Sequence, residues 1–253
     1  MILHTTELGA GPPIALLHGL FGAGRNFGAV ARALAESHRV LMLDLRNHGD
    51  SPHAAGMEYG ALAADVIETL AARDALPAAV IGHSMGGKVA MRAALDRPEM
   101  ISRLLVADIA PVAYGGTFAR YAAAMRAVKL GPELTRAAAS DAMEEAVPDP
   151  TVRAFLLQNL RLGTAPAWRI GLDEISAGMA DILAWHSPAG EQFTGPTLFV
   201  AGARSDYIQP AHRPIIRALF PAARFVTLKN AGHWLHADNP AGFRAIAEAF
   251  TAT

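Results

Sequence analysis

The sequence of 253 residues contains no cysteine, which excludes disulfide bonds, a thiolate nucleophile and cysteine-ligated metal or iron–sulfur sites. An excess of one charge is also missing, because 22 Lys and Arg residues are balanced by 23 Asp and Glu residues. With no basic stripe, we expect neither nucleic acid nor an anionic membrane surface as a partner. No apolar run approaches about 18 residues, and residues 1–7 lack the pattern of a signal peptide. We therefore expect a cytoplasmic protein without a membrane span.

Short apolar runs alternate with segments of helical period over most of the chain. This alternation covers residues 1–111 and resumes over residues 194–253, and it is typical of βαβ crossovers. It predicts an α/β core with a mostly parallel sheet flanked by helices. Residues 112–193 show no convincing strand, only Ala-, Leu- and Met-rich segments with helical period. We expect this block to be an inserted helical cap, or lid, of four or so short helices.

The stretch Gly82-His83-Ser84-Met85-Gly86-Gly87 is the most informative part of the chain. It follows the β-branched run at residues 79–81 and precedes a helix-forming segment, which is the strand–turn–helix context of a nucleophile elbow. Glycines two residues to either side relieve the crowding that a sharp turn imposes on the serine. Ser84 is therefore the predicted nucleophile, and a Gly-rich turn with an idle serine is the alternative.

A serine hydroxyl needs a base, and His233 is the candidate because it follows Gly232 on the loop after the last predicted strand. The acid that orients the imidazole has two candidates. Asp108 ends one predicted strand, whereas Asp206 lies one residue beyond the usual position, which is held by Ser205. We favour Asp108, with Asp206 as the rival acid and Ser205 as possible support.

The oxyanion of an acyl-transfer reaction needs backbone N–H donors. We expect these from Met85, directly after the nucleophile, and from Leu20 in the turn after the second strand, with Phe21 lining the pocket.

Two other sites are considered and disfavoured. A dinucleotide-binding loop over residues 19–24 would need a glycine where Phe27 stands. A metal site on His233, His236 and Asp238 matches no common zinc spacing, and the last two residues are expected to cap the following helix. We expect no metal and no cofactor.

With these motifs in view, the chain resembles the α/β-hydrolase superfamily and, more narrowly, the YbfF-type esterase family. The resemblance extends over nearly the whole chain and rests on five segments, which are residues 18–22, 44–49, 82–88, 108–112 and 231–237. It implies an α/β-hydrolase fold and hydrolysis of short acyl esters, or of acyl thioesters, without a cofactor. The family often takes its acid from an Asp-Ile-Ala-Pro strand end and has serine at the usual acid position, which matches Asp108 and Ser205. Asp206 beside Ser205 is where this chain differs.

The predicted activity is that of a serine carboxylesterase acting on a small ester. Thioesterase, acyltransferase, carbon–carbon bond hydrolase and cofactor-free haloperoxidase activities share this machinery, and a non-catalytic ligand-binding protein is the alternative outside the enzymes. Apolar side chains of the cap and of the loops are expected to shape the substrate pocket; these are Phe21, Phe118, Tyr121, Met125, Trp168 and Trp234.

Overall fold

A computed structural model describes residues 1–187 and 190–252 of the chain. Its strands, in chain order, are β1 (Thr5–Leu8), β2 (Pro13–Leu17), β3 (Arg39–Leu43), β4 (Ala78–His83), β5 (Ile101–Ala107), β6 (Leu160–Arg161), β7 (Ala167–Trp168), β8 (Thr197–Gly202) and β9 (Ala223–Leu228). Its helices are α1 (Gly28–Leu34), α2 (Tyr59–Ala71), α3 (Met85–Asp96), α4 (Phe118–Ala127), α5 (Arg136–Met143), α6 (Pro150–Leu157), α7 (Leu172–Ala177), α8 (Met179–Leu183), α9 (Arg213–Leu219), α10 (Leu235–Asp238) and α11 (Pro240–Thr251).

Seven strands form one sheet in the order β1-β3-β2-β4-β5-β8-β9. β1 pairs with β3 in the antiparallel sense, and every other pair in this sheet is parallel. The strand order places β4 and β5 in the middle, so their carboxyl ends lie next to each other, where α/β sheets bind ligands. The predicted α/β class with a mostly parallel sheet is confirmed.

Apolar side chains cover both faces of the sheet, as a parallel sheet with helices on each side requires. In β2, Ala15 and Leu17 belong to the core under α2 and α3, whereas Ile14 and Leu16 belong to the core under α1 and α11. Burying an aliphatic side chain of this size stabilises the fold by about 1.5–3 kcal/mol. The continuous apolar runs in the sequence therefore correspond to strands buried on both faces.

The described residues between β5 and β8 form five helices, α4 to α8, and a two-stranded hairpin of β6 and β7. The sequence predicts no strand here and is wrong on this point. Each strand of the hairpin has only two residues, so it is too short to show a period of two.

A 3₁₀ turn over Gly24–Phe27 directly precedes α1. Within residues 1–187 and 190–252, none of the helices combines the length and the apolar character needed to cross a lipid bilayer.

Candidate active site

Ser84 lies at the turn between β4 and α3, with φ 52° and ψ −120°. This positive φ is strained for a residue with a side chain, and the neighbouring glycines make it sterically feasible. A Cβ on Gly82 would lie 2.2 Å from the carbonyl oxygen of Gly86, and a Cβ on Gly86 would lie 2.3 Å from that of Leu17. The sharp turn therefore requires glycine at both positions.

His233 connects Ser84 to Asp108 by hydrogen bonds. Its Nε2 lies 3.0 Å from Ser84 Oγ, and its Nδ1 lies 2.8 Å from Asp108 Oδ2. A proton on Nδ1 is donated to the carboxylate, which leaves Nε2 free to accept the proton of the serine hydroxyl. The structure thus brings together the predicted nucleophile, the predicted base and the favoured acid.

Asp108 is fully buried and has φ 53° at the end of β5. Its Oδ1 accepts the backbone N–H of Gly202 at 2.9 Å, and its Oδ2 accepts the hydroxyl of Ser205 in addition to His233. Asp206 is exposed, and its contact with Gln209 is made by its backbone oxygen. The geometry therefore favours Asp108 as the partner of His233, with Ser205 holding the carboxylate in place.

The amides of Leu20 and Met85 flank Ser84, and neither N–H donates a hydrogen bond to another residue in the described part of the chain. Met85 is the first residue of α3, so its N–H is one of the unpaired donors at a helix N-terminus. These two donors are available for a negatively charged oxygen bound beside Ser84.

Buried histidines brace the loop that carries Leu20. His48 Nε2 accepts the N–H of Phe21 at 3.1 Å, and His18 Nε2 accepts the N–H of Leu45 at 3.0 Å. Burial lowers the pKa of His48 to about 3 and also lowers the pKa of His18. Both rings are therefore neutral at pH 7, which is the state that can accept these bonds.

A narrow cavity of about 40 Å³ opens beside Ser84 and His233. Four of the predicted pocket residues line it, together with aromatic and aliphatic side chains of α6 and of the 3₁₀ turn; the predicted ones are Phe21, Phe118, Tyr121 and Trp234. Among the residues that the sequence did not single out, Phe155 of α6 is notable, because its ring centroid lies 5.9 Å from that of Trp234.

Met125 and Trp168 were expected in this pocket, and neither lines it. Met125 is fully buried and belongs to the larger apolar core. Trp168 lies on β7 and lines a separate surface groove with His53 and Arg126. The helical period of the insertion shows that one face is apolar, but it does not show whether that face meets the core or another inserted helix.

A second, smaller cavity of about 20 Å³ also reaches Ser84. It is lined by Lys88, Tyr59, Tyr114 and Tyr207, none of which the sequence singled out. Tyr207 follows the Ser205-Asp206 pair, and its ring stacks on that of His233.

The metal alternative at His233, His236 and Asp238 does not fit the geometry, because His233 is bonded to Asp108 and Ser84. The predicted capping role of His236 and Asp238 is also wrong. Asn239 caps α11 by accepting the N–H of Gly242, whereas Asp238 accepts the N–H of Gly232 at 2.7 Å.

Among the described residues, His4, Asp44 and Asp50 could offer metal ligands within 4.8 Å of one another. Both carboxylate oxygens of Asp44 already accept backbone N–H groups, from Gly24 at 2.7 Å and from Asp50 at 2.9 Å. This cluster therefore braces the loop after β3.

Comparison with known proteins adds independent findings. A family model described as alpha/beta hydrolase fold matches residues 12–240. The mouse (Mus musculus) protein named sn-1-specific diacylglycerol lipase ABHD11 is 40% identical over 250 residues, which cover 95% of this chain and 81% of that protein. Esterase YbfF of Escherichia coli (strain K12) is 38% identical over 237 residues, covering 92% of this chain and 91% of that protein.

A solved structure titled as a marine microorganism esterase superposes with a TM-score of 0.95. It is 34% identical in sequence, and the match covers 99% of both chains. All three relatives thus carry the names of esterases or lipases, and each is similar to this chain over most of its length.

Proposed function

Because this chain belongs to the α/β-hydrolase fold family and is a serine hydrolase of the esterase/lipase type, we propose that it hydrolyses small-acyl carboxylic esters through an acyl-enzyme on Ser84. The main support for this proposal is the pair of hydrogen bonds that link Ser84 to His233 and His233 to the buried carboxylate of Asp108.

In the proposed acylation step, Ser84 Oγ attacks the ester carbonyl while His233 Nε2 takes the hydroxyl proton. Asp108 stabilises the imidazolium that forms, and the amides of Leu20 and Met85 bind the oxyanion. Collapse of the tetrahedral intermediate breaks the ester C–O bond, and the imidazolium returns its proton to the departing alcohol.

Deacylation repeats these steps with water in place of the alcohol. His233 removes a proton from water, the hydroxide adds to the acyl carbonyl, and the carboxylic acid leaves as Ser84 regains its proton. These steps use protein groups and water only. A thioester would follow the same route with a thiol as the leaving group.

Cavity size supports a small acyl group. The two cavities that reach Ser84 are narrow, with volumes of about 40 Å³ and about 20 Å³. Residues 112–193 act as a cap in this proposal, over a core of residues 1–111 and 194–253. Side chains of α4, α6 and α8 provide walls of the two cavities, which supports that role.

The test is hydrolysis of p-nitrophenyl esters from acetate to palmitate by the wild type and by Ser84→Ala. We expect turnover of the short esters with an initial burst of p-nitrophenol, and a loss of at least about 10³-fold in kcat for the variant. A wild type that cleaves none of the esters, while folded and monodisperse, would contradict the proposal.

A further inference from the structure

Lys88 is a buried lysine that the mechanism above does not use. It is 1% exposed and lies one helical turn after Ser84, on the same side of α3. Burying an ammonium group is costly unless a charge compensates it. A buried cation this close to the nucleophile therefore calls for an explanation.

Among the described residues, Lys88 has hydrogen-bond acceptors but no anionic partner. Nζ donates to the carbonyl oxygens of Ala184 at 2.8 Å and Leu183 at 3.3 Å, at the end of α8. An ammonium has three N–H groups, so one is left without an acceptor in the described part of the chain. Other partly buried cations differ in this respect, as Arg46 contacts the carboxylate of Asp65 at 2.6 Å.

The titratable groups that share the second cavity with Lys88 are the phenols of Tyr59, Tyr114 and Tyr207. Its Nζ lies 5.3 Å from the ring centroid of Tyr59 on α2 and 5.1 Å from that of Tyr114 in the segment after β5. Burial raises the pKa of both phenols, and α8 contributes backbone carbonyls. Burial lowers the pKa of Lys88 to about 7, and no carboxylate in residues 1–187 and 190–252 opposes that shift.

Lys88 and Ser84 line the same cavity. The hydroxyls of the two phenols are engaged elsewhere, because Tyr59 donates to the carbonyl of Ile182 and Tyr114 donates to that of Tyr207. Apart from the phenol of Tyr207, the remaining wall is apolar, from side chains such as Ile109 and Phe118. The unneutralised positive charge of this cavity is therefore on Lys88.

We propose that this second cavity is a carboxylate subsite, in which Lys88 pairs with an anionic group on the acyl chain of the substrate while Ser84 attacks the ester carbonyl. The inference rests on the proposed esterase function and specifies its substrate class as half-esters of short dicarboxylic acids. A carboxylate there gives the ammonium the charge partner that the protein lacks.

The first experiment compares ethyl hydrogen glutarate with ethyl valerate, which has the same number of acyl carbons and no second carboxylate. Acid release is followed by titration at constant pH between about pH 6 and pH 9. At about pH 6 we expect kcat/KM to be higher for the glutarate ester than for ethyl valerate. The ratio of the two kcat/KM values should fall about tenfold or more toward pH 9, because the ammonium of Lys88 loses its proton. A pH effect on the shared catalytic steps acts on both substrates and cancels in the ratio.

Lys88→Met removes the charge at similar length and is expected to abolish both the preference and its pH dependence. Lys129→Met, at an exposed lysine, is the matched control and keeps both. If Lys88→Met fails to fold, the wild-type pH profile decides the question. A ratio near one that does not change with pH would overturn the inference while leaving the esterase function intact.

A binding experiment separates the two proposals further. Ethyl hydrogen glutarate and ethyl valerate are titrated calorimetrically into Ser84→Ala, which cannot turn them over. We expect the glutarate ester to bind about tenfold more tightly and to lose this advantage in Ser84→Ala/Lys88→Met. Equal binding of the two esters would overturn the subsite whatever the wild type hydrolyses, whereas tighter binding of the glutarate ester without hydrolysis by the wild type would support the subsite and contradict the esterase function.

Discussion

The ring of Tyr207 stacks on the imidazole of His233, with centroids 3.9 Å apart and planes inclined by 20°. The backbone of Tyr207 is itself held, because its carbonyl oxygen accepts the hydroxyl of Tyr114 at 2.5 Å. This contact fixes the plane of the imidazole, and the hydrogen bond to Asp108 fixes its rotation within that plane. Orientation of a general base within fractions of an ångström governs its efficiency.

Replacing Tyr207 with leucine removes the stacking surface and leaves the hydrogen bonds of His233 in place. We expect kcat on a short p-nitrophenyl ester to fall about tenfold, because the imidazole gains freedom to tilt. Tyr207→Phe is the matched control, which keeps the ring and is expected to stay within about twofold of the wild type. Equal kcat values for the Tyr207→Leu and Tyr207→Phe variants would show that stacking on His233 does not contribute to catalysis.

The two candidate acids are separated by Asp108→Asn and Asp206→Asn. The first variant keeps the side-chain volume but deprives the imidazole of its charged partner, so we expect kcat to fall about 10³- to 10⁴-fold. The second changes an exposed carboxylate and is expected to alter kcat by less than about twofold. Thermal unfolding of both variants checks that the fold is retained. The reverse ranking would assign the acid to Asp206.

Ser205→Ala tests the support given to the carboxylate. Asp108 Oδ2 loses one of its two donors, while Oδ1 keeps the N–H of Gly202. We expect kcat to fall about three- to tenfold, since the carboxylate is less firmly held and the ion pair keeps its charge. Ser205→Thr, which restores a hydroxyl, should recover part of the loss. A Ser205→Ala variant with wild-type kcat would remove Ser205 from the supporting role.

Features that depend on a local pattern could be predicted from the sequence. The elbow at Ser84 was predictable because a strand, a tight Gly turn and a helix must follow one another there. His233 and Asp108 were predictable as polar residues at the ends of parallel strands, which meet at one edge of a sheet. In the sheet, β4, β5, β8 and β9 are neighbours in that order, so the loops that follow β4, β5 and β9 lie at the same edge.

Features that depend on tertiary packing could not be predicted in the same way. Lys88 follows Gly86-Gly87 in the sequence and gives no local sign that its ammonium is buried under α8. Phe155 lines the cavity beside Ser84, whereas Trp168 lines a separate groove. Which of these aromatic residues reaches the site depends on how the helices between β5 and β8 are oriented on the sheet. A helical period in the sequence shows which face of a helix is apolar, but it does not show which element that face packs against.

The elbow glycines provide a prediction about stability. Gly86→Ala would place a Cβ 2.3 Å from the carbonyl oxygen of Leu17, a backbone atom that cannot move without disturbing β2. We expect a loss of about 3 kcal/mol or more in the free energy of unfolding. Gly60→Ala in α2 is the matched control, because a Cβ there meets nothing within 4 Å. It should stabilise the protein by about 0.5–1 kcal/mol. Chemical denaturation measures both, and a tolerated Gly86→Ala would contradict the steric argument.

Because several buried histidines have lowered pKa values, we expect the folded protein to lose stability in mild acid. Burial lowers the pKa of His48 to about 3 and that of His236 to about 4, and it lowers the pKa of His83 well below its usual range. Below the ordinary value of about 6.5, the unfolded chain binds protons that the folded chain excludes, so stability falls as pH decreases toward the folded values. Each such histidine contributes a slope of about 1.4 kcal/mol per pH unit in that window.

The measurement is the free energy of unfolding in urea between about pH 7.5 and pH 4.5, for the wild type and for His48→Gln. The wild type should lose stability steadily below about pH 6.5, and the variant should show a shallower slope because one titrating ring is gone. His186→Gln, at an exposed histidine, is the matched control. A wild type with constant stability down to about pH 4.5 would show that the buried rings are protonated in the folded state. In that case His48 Nε2 could not accept the N–H of Phe21.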